Sequence, residues 1–452
     1  MDSETLIEQS ISSDETIADY LSALVRDKNN LVTNLQNKGV EVKGNETFSE
    51  LVPKVVTIPS AYAPKYISMM NHPGPEADFV ADLAGLNTSA VKQISGIAFN
   101  PNQSSFYPSS AITINMVTPE LVNTDCMFST PINATSASSD INRIPGITFT
   151  HLDTGKVTSM RKMFCGCSYL KSLDVSSFTT DSGVEVNTSG MFQNCSECTS
   201  ITLGNWNPTI VDASRMFNSC SKITSIDLSN MDFTKCTTLE NLCSSCTALQ
   251  TVNGINKIFN NISPKYAYMF YNCTNLLEID LTGITHNIPM TTFSNMFYQC
   301  SNIRTIKMPN FISAGNCSYY YMFRSCQKLT TLDVSGWDTS NASNYNGMFM
   351  HCSSLTSLDL SSFTVRVGGN FSSVQNMFHG CTNLQHLDMR NWKFSSIPAS
   401  ASLSQMFGTS AGVPTIPVDC EIIVKDDTEK NRLLTVYPTF TNVKTVAEYE
   451  AE

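Results

Sequence analysis

The sequence predicts a repeat solenoid with one short β-strand in each coil of 25–29 residues, carried behind a helical N-terminal module and a small β-rich domain. Three observations predict it. The dipeptide Met-Phe recurs at Met163, Met191, Met216, Met269, Met296, Met322, Met348, Met377 and Met406, with Leu242-Cys243 in its place between 216 and 269; subtraction gives steps of 28, 25, 26, 27, 27, 26, 26, 29 and 29 residues. Four residues after the Met stands a cysteine, at Cys167, Cys195, Cys220, Cys246, Cys273, Cys300, Cys326, Cys352 and Cys381. Beyond each cysteine comes an apolar residue and then an apolar-polar-apolar alternation, as in Leu332-Asp333-Val334, whose period of two marks a very short strand. A fixed period of this length is the sequence signature of stacked coils.

Residues 1–58 read as helix. Ser12 with Glu15 forms a capping box, Ile17, Leu21, Leu24 and Val25 share one face, and after a break near Asn29 Leu31 and Leu35 continue to a C-terminal cap at Gly39. A second box, Thr47 with Glu50, opens a short helix bearing Phe48, Leu51, Val52 and Val55. Helices this short need a partner to be stable. The stretch NLVTNLQNKGVEVKGNETFSELVPKVVTI, residues 30–58, resembles one near the N-termini of phage tail fibre and tail-associated proteins. That resemblance implies an attachment or oligomerisation module contacting other virion proteins through residues 1–58.

Residues 59–125 alternate apolar and polar positions (ISGIAF, SAITINMV) among Pro, Ser and Asn, as a small β-rich domain or an N-terminal cap would. The solenoid is expected over 126–410, with Met127-Phe128 as a worn first coil. One coil has one strand and no facing layer, so it cannot bury its own Leu, Met and Phe; stacked copies cover one another. A large side chain closes each coil at Phe178, Trp206, Met231, Ile284, Phe311, Trp337, Phe363 and Trp392, a column holding all three tryptophans of the chain. Units reading MFxxCxxLxxLDLSxF resemble the BspA-like leucine-rich repeats of bacterial, protozoan and phage surface proteins over about residues 150–410. The fold implied is a solenoid of the leucine-rich-repeat type. Residues 411–452 read as a strand, a helix near 427–436 and a closing strand, a cap for the last apolar coil.

Composition narrows the function. The 452 residues carry a net charge of −11, with 15% charged and 41% hydrophobic residues. Such a surface repels phosphate backbones, so nucleic acid is not an expected partner. No apolar run approaches the length of a membrane span, and the N-terminus lacks the basic and apolar regions of a signal peptide.

The nine column cysteines should face inward as small apolar residues with a weak donor for a nearby carbonyl. Neighbouring coils spaced by roughly 4.8 Å hold their sulfurs too far apart to bond. Cys198 falls in the Leu column and Cys243 in the Phe column, so neither CxxC pair needs a metal or redox role. No cofactor is expected.

The strand residue between the inward apolars points outward and reads Asp174, Thr202, Asp227, Asn253, Asp280, Lys307, Asp333, Asp359, Asp388. Such carboxylates serve either as soluble fillers bonding nearby amides or as a recognition ladder. Ligand-specific residues should break the repeat, as Glu278, Arg304, Lys307 and His386 do; with Asp280, Asp333, Asp359 and Asp388 they are the binding candidates. His351 and His379 lie between Met-Phe and Cys and read as exposed side chains. No nucleophile-base set or phosphate loop stands out, so catalysis is not expected. The sequence thus points to a non-enzymatic virion protein, oligomeric in an assembly, whose repeats meet a host-surface protein or glycan; the alternative is a bacterial cell-surface adhesin.

Overall fold

The structure, a computed structural model, describes residues 66–68, 91–95, 112–129, 145–255, 265–282, 290–311, 313–364, 373–397, 403–408 and 413–452. The helical module expected over 1–58 and the column residue Ile284 lie outside the described residues. The chain divides into two units, 1–209 and 210–452.

In the first unit three strand pairs among the described residues run parallel. Tyr66–Ser68 pairs with Gln93–Ser95, Ile112–Met116 with Ile147–Leu152, and Ser172–Asp174 with Ser200–Thr202, whose register sets Leu173 against Ile201. Parallel pairing between consecutive three-residue strands requires the chain to travel once round a coil between them. Met127, Met163 and Met191 are fully buried, and Phe128, Phe164 and Phe192 stack with centroids 5.3 and 5.6 Å apart and planes within 10°. Met127-Phe128 therefore occupies the same place in its coil as the later pairs. Phe149, Phe178 and Trp206 form a second aromatic column, edge to face at 5.0 and 5.9 Å.

The second unit repeats this with longer ladders. Glu278–Asp280, Thr305–Lys307 and Thr331–Leu332 form one sheet, and Ser225–Asp227 pairs with Thr251–Asn253. Ser357–Asp359, His386–Asp388, Glu421–Val424 and Val443–Thr445 form a four-stranded sheet. Phe270, Phe297, Phe323, Phe349, Phe378 and Phe407 stack in sequence at 5.3–5.7 Å, with planes within 14°. A second stack, Tyr266, Phe293, Tyr319 and Tyr345, runs beside them. Fully burying one such side chain stabilises by about 1.5–3 kcal/mol. Repeating it in each coil makes the ladder itself the core.

Each coil was expected to hold one strand, whereas the structure has a second ladder just before Met-Phe. In the second unit it runs through Met290–Thr292, Ser313–Ser318 and Ala342–Asn344, extended by the bridge Asn344 to Ser373. In the first it is carried by bridges linking Gln93, Asn123, Ser159 and Asn187. These stretches are too short, and the loops preceding them too variable in length, for a period-two signal to emerge.

The C-terminal strands Glu421–Val424 and Val443–Thr445 flank a helix, Asp427–Val436, capped by the Asp426 carboxylate accepting from the Glu429 amide. Val446–Glu450 follows with a full capping box between Thr445 and Glu448. Among the described residues no helix is long and apolar enough to cross a membrane.

Candidate functional site

The candidate residues expected from the sequence lie along the strand face. Asp174 in the first unit, and Asp227, Asp280, Asp333, Asp359 and Asp388 in the second, each accept the backbone N–H two residues on, at 2.7–3.0 Å. The hydroxyls of Ser229, Thr282 and Ser335 add a second bond to the same carboxylate oxygen. Hydroxyl and amide of Thr282, and then Lys307, hold the Asp280 carboxyl below its ordinary range; amide and hydroxyl of Ser335 do the same at Asp333. One oxygen of every column aspartate is thus occupied in turning the chain out of its strand.

The repeat-breaking candidates fall into two groups. Register sets Asp280 opposite Lys307, whose ammonium lies 3.3 Å from the carboxylate in an exposed pair; Glu278 and Arg304 are exposed on the same sheet. Such a pair adds little stability. His386 instead joins the C-terminal segment, its Nδ1 lying 2.7 Å from Glu421, which also pairs with Lys444 at 2.9 Å. Asp388 is buried and held by the Arg390 guanidinium at 2.6–3.1 Å. Asp333 and Asp359 are exposed.

The cysteines are enclosed. All sixteen are outside any disulfide, and the nine of the column are fully buried. Column thiols donate to the carbonyl of the Phe position one coil earlier: Cys195 to Phe164, Cys246 to Phe217, Cys300 to Phe270, Cys326 to Phe297, Cys352 to Phe323 and Cys381 to Phe349, at 3.0–3.3 Å, and Cys167 to Phe128 at 3.8 Å. Cys273 donates at 3.0 Å to Cys243, which stands where the other coils carry Phe. Burial pushes the thiols of Cys300 and Cys381 up to about 12, so the nucleophilic thiolate is suppressed. Among the described residues no three His, Cys, Asp or Glu side chains gather to hold a metal ion.

A surface the sequence reading passed over lies on the Met-Phe turns. The residue before the Met position has positive φ in the coils from Met127 to Met377, for example Lys162, Gly190, Arg215, Tyr268, Asn295 and Tyr321 at 53–63°. So does the residue before the column cysteine, for example Asn194, Ser219, Asn272, Gln299 and His351 at 57–64°. These paired left-handed residues fold the turn flat, and alternate N–H groups bond the next coil: Phe270 to Met296 and Asn272 to Tyr298, at 2.9 and 2.7 Å. Side chains on three consecutive turns then lie side by side.

Those turns read YAYMFYNC, SNMFYQC and YYYMFRSC. Tyr268 meets Tyr271 at 5.7 Å, Tyr271 meets Tyr298 at 5.3 Å, and Tyr298 meets Tyr321 at 5.8 Å, while Tyr320 stacks on Tyr321 at 4.0 Å. The Arg324 guanidinium carbon sits over the rings of Tyr298 and Tyr321 at 4.9 and 4.4 Å. Tyr268 is 39% exposed and the rest of the group half-buried. The signal was present as tyrosines at the same two offsets from Met in successive coils, but His351 and His379 drew the reading of that segment. Those two histidines pack edge to face at 5.2 Å one and two coils further on.

The chain belongs to the family described as Mycoplasma protein of unknown function, DUF285, which matches residues 127–258, 187–311 and 291–414. Solved structures similar to it include a leucine-rich repeat protein from Bacteroides ovatus, at 17% identity and a TM-score of 0.40, covering 79% of this chain and 88% of that one. A leucine-rich repeat protein from Leptospira interrogans matches at 11% identity and a TM-score of 0.26, covering 83% and 99%. The pneumococcal vaccine antigen PcpA matches at 12% identity and a TM-score of 0.33, covering 78% and 84%. No curated protein matches the chain.

Proposed function

We propose that this chain is a non-enzymatic recognition protein, displayed on a surface, whose repeats bind a host-surface protein or glycan. One observation carries the reading: the repeated polar groups are consumed by the architecture. Column carboxylates accept turn amides and column thiols cap buried carbonyls, so neither set is poised for chemistry. What remains to differ from coil to coil is the exposed side chains, and a repeat protein recognises partners through such an array. Surface display is supported by the resemblance of the repeat unit to BspA-like surface proteins.

Two settings fit this role. A bacterial cell surface agrees with the repeat family; a virion agrees with the likeness of residues 30–58 to phage tail segments. Antibodies against the repeats, applied to intact cells and to purified particles, separate the two by which of them is labelled. A glycan and host-protein binding screen with the full chain tests recognition itself, and turnover of a bound glycan in that screen would overturn the non-enzymatic reading.

A further inference from the structure

We propose that the tyrosine-arginine cluster on the Met-Phe turns, built from Tyr268, Tyr271, Tyr298, Tyr320, Tyr321 and Arg324, is the recognition site, and that it takes a glycan carrying a carboxylate. The proposal rests on the recognition reading above and specifies its place and ligand class.

Charge comes first. Arg324 makes no ion pair and no side-chain hydrogen bond among the described residues, and its Nε is buried without a partner. Arg161 and Arg390, by contrast, are each committed to a carboxylate at 2.6–2.9 Å. Arg215, Arg304 and Arg432 likewise make no ion pair among the described residues, and what sets Arg324 apart is its enclosed, unpartnered Nε and a guanidinium held over two rings. Two tyrosine rings fix its plane, so a planar fork is presented with little rotamer freedom left to lose. A carboxylate is the group that matches two parallel N–H donors.

The surroundings favour a sugar as bearer of that carboxylate. Tyrosines offer large faces and hydroxyls at small entropic cost, which suits a ligand with C–H faces and many hydroxyl groups. They recur at the coil spacing, so successive rings of an extended chain can meet successive tyrosines. Asn295 reinforces the assignment. It lies between Tyr268 and Tyr321 in the column before Met, is 3% exposed, and its Nδ2 makes no hydrogen bond. A buried amide donor without an acceptor carries a desolvation penalty that a ligand oxygen would relieve. The Gly347 backbone lies under Tyr321, where an added Cβ would fall 2.3 Å from Cε1, so that ring has a specific seat.

The test uses the full chain and a panel of oligosaccharides bearing uronic or sialic acids, together with their carboxyl-methyl esters, read by calorimetry. Binding of at least one acidic member, with a loss of about tenfold or more on esterification, is expected. Arg324→Gln should reduce affinity about tenfold or more, and Arg324→Lys, which keeps the charge but not the fork, should restore only part of it. Tyr298→Ala should weaken binding severalfold while Tyr298→Phe retains most of it, and unchanged thermal melting separates binding from folding. Arg304→Ala and Lys307→Ala should leave affinity unchanged.

Three results would overturn the proposal. If affinity drops in Arg304→Ala or Lys307→Ala and holds in Arg324→Gln, recognition stands but belongs to the strand face. If esters bind as well as acids, the carboxylate assignment fails. If no acidic member binds while a host protein does, the ligand class is wrong although the chain is still a recognition protein.

Discussion

At the scale of single residues, the thiol explains why the repeat keeps cysteine. The Phe-position carbonyl already accepts the amide of its own coil's cysteine, as in Cys300 to Phe297 at 3.0 Å, and the next coil's thiol closes its other side, as in Cys326 to Phe297 at 3.3 Å. Alanine would fill less volume and leave that side uncovered. Cys326→Ala should lower unfolding free energy by about 1–3 kcal/mol, measured by urea denaturation. Reagents for thiols should find chiefly Cys165, which is partly exposed while the other cysteines are buried, and all sixteen only after denaturation. Rapid modification of several thiols in native protein would contradict the enclosed column.

The same burial fixes a dependence on pH. The thiols of Cys300 and Cys381 titrate near 12 when folded and near 9 when exposed, because desolvation opposes the thiolate. Above about pH 9 the unfolded chain gives up protons that the folded chain retains, so stability is full below that pH and falls as pH rises towards 12. The slope is about 1.4 kcal/mol per pH unit for each thiol so placed. Urea midpoints should therefore hold below pH 9 and drop as pH rises from 9 towards 12. A Cys300→Ala, Cys381→Ala double variant should show a shallower decline.

At the scale of the element, the Met-Phe turn rests on its two left-handed positions. A non-glycine residue there costs roughly 1–2 kcal/mol, less for Asn. Gln299→Gly, at φ 64°, should therefore gain a few tenths to about 1 kcal/mol, the residual after glycine's greater unfolded-state entropy. Gly380→Val should cost more than 1 kcal/mol, since φ is +78° and a Cβ would meet His351 Nδ1 at 2.3 Å. Opposite signs in urea melts are the check.

This turn also marks how far the sequence could be read. The Met, Phe, Cys and Leu columns were legible because burial allows few residue types at a regular spacing. The left-handed columns were not, since Lys162, Arg215, Tyr268 and Tyr321 occupy them beside Gly and Asn, and only the ladder between coils imposes φ there. The second strand ladder escaped for lack of length. On the strand face, His386 broke the repeat visibly, but the partner explaining the break, Glu421, is 35 residues away, and no periodicity could supply it; Asp388 keeps the column's residue type, and its pairing with Arg390 left no mark in the repeat.

At the scale of the whole molecule, a stack of coils must end without exposing its last apolar face. In the second unit the C-terminal segment meets that need chemically as well as by cover. Tyr437 packs edge to face on Phe407 at 5.3 Å, its hydroxyl donates to the Leu403 carbonyl at 2.9 Å, and it accepts the Phe407 amide at 3.2 Å. The buried Glu429 accepts the Ser395 amide and hydroxyl at 2.9 and 2.7 Å. Tyr437→Phe keeps the ring but strands a buried amide and a buried carbonyl, so it should cost about 1–3 kcal/mol. Tyr437→Ala should cost about 3–5 kcal/mol, because it also opens a cavity against Phe407. Ending the chain at residue 412 removes strands Glu421–Val424 and Val443–Thr445, baring the edge of His386–Asp388 as a template for another chain. That truncated protein should aggregate at concentrations where Tyr437→Phe stays monodisperse by light scattering. If instead it remains soluble and melts as the full chain does, the segment is an appendage and the stack is stabilised without a cap.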